Sequence, residues 1–348
     1  MVQSGSNPSN RGLSLPRLSV LNLLIAISLL GLYACSTESK QAPPKQAAKS
    51  EPQVVVPPFH ADSAYRFVAE QVAFGPRVPE TPEHAACAAY LQAKMEGYGA
   101  EVIMQRGSMK AYHGRNMQLV NIIAQFQPEN SKRVLLCAHW DSRHVADYDP
   151  DPAMRDTPIL GANDGASGVG VLLEVARHLA AHPPKVGVDI IFFDLEDHGT
   201  PDHLGLPYVE DSWCLGSQYW TRNLHQLGYF PRYGILLDMV GAAGAVFHQE
   251  QVSMYYAPGI KNKVWSIAHE LGYGNQFPRK PGGQITDDHL YVNRNTGIPC
   301  INIIQYEAGS SSSFGSYWHT HADNMEIIDR FTLRAVGETV METIYREK

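Results

Sequence analysis

Five short apolar runs mark the chain at Leu119–Ala124, Val134–Ala138, Val188–Phe193, Ile235–Met239 and Pro299–Ile304. Each is only five or six residues long and none alternates between apolar and polar positions, the pattern of strands covered on both faces. Between them the period changes. Val171, Leu172, Val175 and Leu179 share one stripe of a helix over Gly170–Ala181, and Leu333, Val336, Val340 and Ile344 do so over Phe331–Tyr345. Strands alternating with helices predict a single α/β domain over residues 59–348, with a central mixed, mostly parallel twisted sheet flanked by helices. Ligands of such sheets bind beyond the carboxyl ends of the strands. The polar residues that follow each apolar run are therefore the place to look for chemistry.

The pattern before the domain is different. Arg11 and Arg17 precede an apolar run, Val20–Leu32, too short to span a bilayer. It ends in Leu32-Tyr33-Ala34-Cys35, which resembles a lipobox, although Tyr33 stands where a small residue is usual. Residues 1–34 are thus expected to be a lipoprotein signal peptide and Cys35 the lipidated residue; a signal peptide cleaved without lipidation is the alternative. Ser36 after the cysteine resembles the outer-membrane sorting pattern, so the expected location is the periplasmic face of that membrane. Residues 36–58, dominated by Ser, Lys, Gln, Ala and Pro, bury too little to offset their ordering entropy and read as a flexible tether.

The net charge of −7 comes without any basic cluster, so nucleic acid is not an expected partner. Cys87, Cys137, Cys214 and Cys300 are too far apart for a zinc finger or a CxxC redox motif. Cys137 and Cys300 lie inside apolar runs and read as buried thiols, and an exported location permits disulfides that spacing alone does not assign.

Acids and imidazoles gather at the predicted strand ends. His139 and Asp141 follow the second run, and Asp164 sits in the Gly/Ala-rich turn before the first helix. Asp194, Glu196 and Asp197 follow the third run, and Asp238 closes the fourth. Asp287, Asp288 and His289 come later, followed by Trp318, His319, His321 and Asp323. Any one of these has an ordinary explanation as a turn former, helix cap or solvated loop acid. Asp238 is the hardest to explain so, because a carboxylate in an apolar strand needs a partner or a cation. Two carboxylates and an imidazole form a familiar catalytic zinc set with one position left open, which predicts a zinc site beside a general base.

The series His139-Trp140-Asp141-Ser142, Gly161-Ala162-Asn163-Asp164, Phe192-Phe193-Asp194-Leu195-Glu196-Asp197, Leu237-Asp238 and Trp318-His319-Thr320 resembles the M28 zinc aminopeptidase superfamily, as does Phe74-Gly75-Pro76-Arg77. Asp287-Asp288-His289, the Trp318-His319-Thr320 tripeptide, Leu215-Gly216-Ser217 and the run Ile235–Gly241 are similar to the glutaminyl cyclases within it. The likeness extends over the chain from about residue 60.

The resemblance implies a zinc-dependent glutaminyl-peptide cyclotransferase that converts N-terminal glutamine of peptides and proteins to pyroglutamate with release of ammonia. It implies one Zn2+ per chain on Asp164, Asp197 and His319, Glu196 as the proton shuttle, and Asp238 and Asp288 sharing a proton and raising the Glu196 pKa. It also implies that Asp288 holds the glutamine side chain and that Trp318 walls the site against water. Asp197 stands where most animal cyclases and peptidases of the superfamily carry Glu, so its loop must come closer to the metal. The second metal of the peptidases would need His139, Asp164 and Asp238, and all three are present. An M28-type aminopeptidase is therefore the alternative, and a non-catalytic binding lipoprotein a second.

Other residues have lesser expectations. Asp147, Asp149, Asp151 and Asp156 crowd one loop and could bind calcium, though without EF-hand spacing. His198, His203, His289 and His321 suit supporting positions around the site. Asp141 is expected to orient a neighbour and Asp323 to fix the loop after His319. Trp213, Trp220 and Tyr317 are candidates for the substrate mouth, and Gly309–Ser313 for a lid.

Overall fold

The computed structural model describes residues 55–348. The expected signal peptide, Cys35 and all but the last few tether residues lie outside that range. Six strands form one sheet in the order β1-β2-β4-β3-β5-β6. They are β1 (Glu101–Lys110), β2 (Asn116–Phe126), β3 (Arg133–His139), β4 (Gly187–Phe193), β5 (Gly234–Asp238) and β6 (Cys300–Ile304). β4, β3, β5 and β6 run parallel, whereas β1 pairs antiparallel with β2 and β2 antiparallel with β4.

All residues of β3, β4, β5 and β6 are buried, as continuous apolar runs require. Alternate side chains enter two cores. Leu136, Ala138, Ile190, Phe192, Ile235 and Leu237 pack against α1 (Ala61–Val72), α3 (Ala166–Ala181) and α8 (Arg330–Tyr345). Leu135, Cys137, Ile191, Phe193 and Leu236 face the other way, towards Trp220 of α4 (Leu215–Arg222) and Val292 of α7 (Asp288–Thr296). Each fully buried Leu or Ile contributes about 1.5–3 kcal/mol. The remaining helices are α2 (Pro82–Gly97), α5 (Gln251–Tyr256) and α6 (Pro258–Glu270).

β1 is the strand that the apolar pattern does not announce. It is an edge strand of half-buried and exposed positions, ordered by its ten-residue register with β2 rather than by burial. α3 begins four residues before its predicted start, through Gly168 and Gly170, which weaken a helix in isolation. They are there for contact: a Cβ on Gly168 would strike the Leu237 carbonyl, and one on Gly170 would strike Val68 of α1.

Candidate metal centre and active site

The C-terminal ends of the parallel strands deliver the site. β3 ends on His139, β5 ends on Asp238, and the loop after β4 carries Asp194–Asp197. Asp164 comes from the turn before α3. Gly165, which caps that helix at φ +98°, leaves no room for a side chain: a Cβ there would lie 2.5 Å from the Asp141 carbonyl. The loops are strained elsewhere too, since Leu195, Cys214, Met239 and His319 all have φ between +48° and +57°. Left-handed backbone at non-glycine residues is held only by surrounding structure, and such positions gather at functional sites.

Arg77, fully buried, explains the Phe-Gly-Pro-Arg motif. Its guanidinium donates to the carbonyls of Trp140, Leu160 and Gly161, clamping the His139–Ser142 segment to the turn that presents Asp164. Asp141 works beside it, accepting the backbone amides of Glu196 at 3.1 Å and Asp197 at 3.2 Å. Asp323 does more than fix its own loop, because it accepts the amides of Asn163 and Asp164.

Two three-residue sets converge, and Asp164 belongs to both. In the first, His319 Nε2 lies 3.2 Å from Asp197 Oδ1 and 3.6 Å from Asp164 Oδ2. These contacts lack hydrogen-bond geometry, and the buried Asp197 Oδ2 has no hydrogen-bond partner. In the second, His139 Nε2 hydrogen-bonds to Asp164 Oδ1 at 3.0 Å and to Asp238 Oδ1 at 3.2 Å. The second set is tied together by hydrogen bonds through His139 Nε2, whereas the first brings its ligand atoms together without one and leaves Asp197 Oδ2 unpartnered. Buried acceptors without donors call for a cation, so Asp164, Asp197 and His319 fit a divalent metal. The shorter Asp197 side chain does reach the set.

The four acids of the candidate calcium loop diverge. Asp147 lies 3.2 Å from His319 Nδ1 and is gripped by Arg143. Asp149 pairs with His321, Asp151 caps a short helical turn, and Asp156 pairs with His203. Burial would raise the Asp147 pKa, but the close contacts with His319 and Arg143 outweigh it and hold the carboxyl below its usual range. Arg143, fully buried, also donates to the Asp197 and Gly199 carbonyls and lies over the Trp213 ring at 4.4 Å.

Glu196 lines a cleft of about 300 Å³ together with Asp287, Trp213, Phe314, Trp318 and His319. Burial pushes its pKa well above the usual carboxylate range, with the charges of Asp287, Asp197 and Asp288 adding to the effect and His139 opposing it. The resemblance implies that Asp288 faces this cleft and shares a proton with Asp238. Instead it is wholly buried behind the lining, and neither of its oxygens has a hydrogen-bond partner. Asp238 is bonded to His139. The neighbouring Asp287 lines the cleft, within 4.8 Å of Glu196 and Cys214. It caps α7, accepts from Asn302 at 2.5 Å, and is lifted to about 7 by burial and the charge of Asp238. The resemblance points to Asp288, but the structure brings Asp287 to the cleft, because Asp287 caps α7 and Asp288 enters the helix behind it.

Aromatic groups form the other wall. Trp318 stacks on His319 with ring centroids 3.6 Å apart, and Trp213 lies parallel to the same imidazole at 6.0 Å. Ser312 and Ser313 also line the cleft. Trp220 does not reach it and packs on Phe193, and Tyr317 bonds to Gln305. His198 stacks on His144, and His289 bonds to Glu250.

The model for peptidase family M28 matches residues 121–344, and the chain belongs to that family. Within it, the chain is similar to glutaminyl cyclases. It is 52% identical to Bacteroides thetaiotaomicron glutaminyl cyclase, solved bound to N-acetylhistamine, over 84% of this chain and 100% of that one, with a TM-score of 0.83. A Zn-dependent exopeptidase from Parabacteroides distasonis is 54% identical, again over 84% of this chain and 100% of that one, with a TM-score of 0.83. The glutaminyl-peptide cyclotransferase of Bos taurus is 25% identical over 289 residues, 74% of each chain.

Proposed function

We propose that this protein is a zinc-dependent glutaminyl-peptide cyclotransferase that closes N-terminal glutamine of peptides and proteins to pyroglutamate and releases ammonia. The observation that carries this reading is the buried Glu196 carboxylate beside Asp287 in an aromatic-walled cleft, adjoining the converging ligand atoms of Asp164, Asp197 and His319, among which Asp197 Oδ2 is buried and unpartnered. The similarity to solved glutaminyl cyclases supports it independently.

One zinc per chain on those three residues would act as a Lewis acid on the γ-carboxamide oxygen. Glu196 takes a proton from the attacking α-amine and passes it to the departing ammonia, a shuttle suited by a raised pKa. Asp287 meets the substrate at the wall, while Asp288 behind it and Asp238, tied to His139, keep the acid cluster in place. Trp318, Trp213 and Phe314 exclude water, which favours ring closure over hydrolysis of the same carbonyl. Holding amine and carboxamide in contact supplies much of the remaining rate. The leader pattern ending in Cys35 supports an exported, lipid-anchored enzyme on the periplasmic face of the outer membrane.

Aminopeptidase activity is the second reading, favoured by the convergence of His139, Asp164 and Asp238. Incubating purified protein with Gln-peptides and Leu-peptides separates the two. Loss of one ammonia from Gln-peptides alone is expected. Free leucine would overturn the cyclase reading, and no product from either, with zinc bound, would leave a binding protein.

A further inference from the structure

Cys214 is fully buried, and its thiol lies 3.1 Å from Glu196 Oε1. Among the described residues this is the one hydrogen bond to the Glu196 carboxylate; the nearest imidazole nitrogen, His139 Nδ1, is 3.9 Å from Oε2. The backbone reinforces the contact. The Cys214 amide donates to the Glu196 carbonyl and the Leu215 amide to the Leu195 carbonyl, both at 2.9 Å. The Cys214 carbonyl in turn accepts from Ser217 Oγ and the Gln218 amide at the start of α4. Cys214 sits in the left-handed region at φ +57°, a conformation that a β-carbon makes costly, so the surrounding structure holds a non-glycine residue there.

We propose that Cys214 is a positioning residue for Glu196, its S–H donating to Oε1 so that the carboxylate keeps one rotamer. The inference rests on the reading of Glu196 as the proton shuttle. A glutamate side chain otherwise free to rotate would spend part of its time out of reach of the amine, and a misplacement of about 1 Å costs on the order of 10²-fold in rate. A thiol suits the task because it is a weak donor: it orients the carboxylate without competing strongly for the lone pair that must take the proton. Burial favours its neutral, donating form.

The test compares Cys214→Ala, Cys214→Gly, Cys214→Ser and Glu196→Gln in the zinc-loaded enzyme on one Gln-peptide. Cys214→Ala is expected to lower kcat about 10- to 100-fold, with KM and zinc content nearly unchanged. Cys214→Gly should behave likewise even though glycine relieves the left-handed backbone, which separates loss of the donor from loss of strain. Cys214→Ser restores a donor and should recover most of the rate. If Ala and Gly keep kcat within about twofold while Glu196→Gln is inactive, or if Ser is no better than Ala, the positioning role is wrong. If Glu196→Gln itself remains active, the shuttle assignment fails instead. A measurement on folded protein that needs no Cys214 variant backs this up: the infrared difference spectrum of Glu196→Gln against wild type should show one S–H stretching band shifted, and no shift would overturn the contact.

Discussion

His319 Nδ1 lies 3.2 Å from Asp147 Oδ1, and Arg143 Nη2 grips the same carboxylate at 2.6 Å. The pair fixes the imidazole so that Nε2 points to Asp164 and Asp197. Carboxylates behind metal-binding histidines set the tautomer and raise ligand basicity. Asp147→Asn is therefore expected to weaken zinc affinity about 10- to 100-fold, read by titration against a competing chelator. Affinity unchanged from wild type would remove Asp147 from the site.

Chelation should abolish turnover, and added zinc should restore it at one equivalent per chain. His319→Ala is expected to lose both metal and activity. His139→Ala should still bind one zinc, since His139 is hydrogen-bonded to Asp164 and Asp238 and lies outside the Asp164, Asp197 and His319 set. Two equivalents in the wild type, falling to one in His139→Ala, would show that the peptidase arrangement is filled. Zinc at about 100 times its Kd should also stabilise the fold by about 2.7 kcal/mol, visible as a rise in Tm.

The legible part of this molecule is the part written in runs. The five parallel-core and neighbouring strands are continuous apolar stretches, and four of them are buried throughout. The motif residues Asp164, Asp197 and His319 stand close together in space although far apart in sequence. What sequence left hidden depends on pairing across the fold. β1 owes its existence to register with β2, and Arg143 and Asp147 look like loop charges until the structure carries them to His319. Cys214 lies outside the apolar runs and has no role legible in sequence, and only its distance to Glu196 gives it one. A counterexample shows why a buried strand acid is an ambiguous signal. Asp189 in β4 is wholly buried, yet Arg133, Gln125 and Tyr229 satisfy it completely, a structural solution with no chemistry attached.

Glu250 offers a prediction about stability. Its carboxylate accepts the amides of Val252, Ser253 and Ile285 and bonds to His289 Nε2, joining α5 to the wall that carries Asp287. Burial would raise its pKa, but the His289 contact and the two helix amides outweigh this and lower it. A lowered folded pKa means that the stabilisation is present above the unfolded value of about 4.3 and is lost as pH falls through the folded value. Glu250→Gln should thus cost roughly 2–4 kcal/mol at pH 7 in urea unfolding. The gap to wild type should narrow in acid below about pH 4. A gap that widened with acid would contradict the assignment.

The Trp318 indole should matter more for chemistry than for folding, because it is only partly buried and stacks on the His319 imidazole. Trp318→Ala is expected to reduce kcat/KM by on the order of 10²-fold while leaving zinc bound. Trp318→Phe should retain much of the rate. Gly199→Ala tests the same aromatic wall at Trp213, since a Cβ there would run into that ring. It should raise KM without removing the metal.

Cys87, Cys137, Cys214 and Cys300 are all reduced and all enclosed by the fold. The catalytic domain consequently gains nothing from an oxidising folding environment. Its melting point should be indifferent to dithiothreitol, and it can be produced in a reducing cytoplasm without isomerases. That independence means that a shift in the redox balance of its surroundings leaves its scaffold untouched.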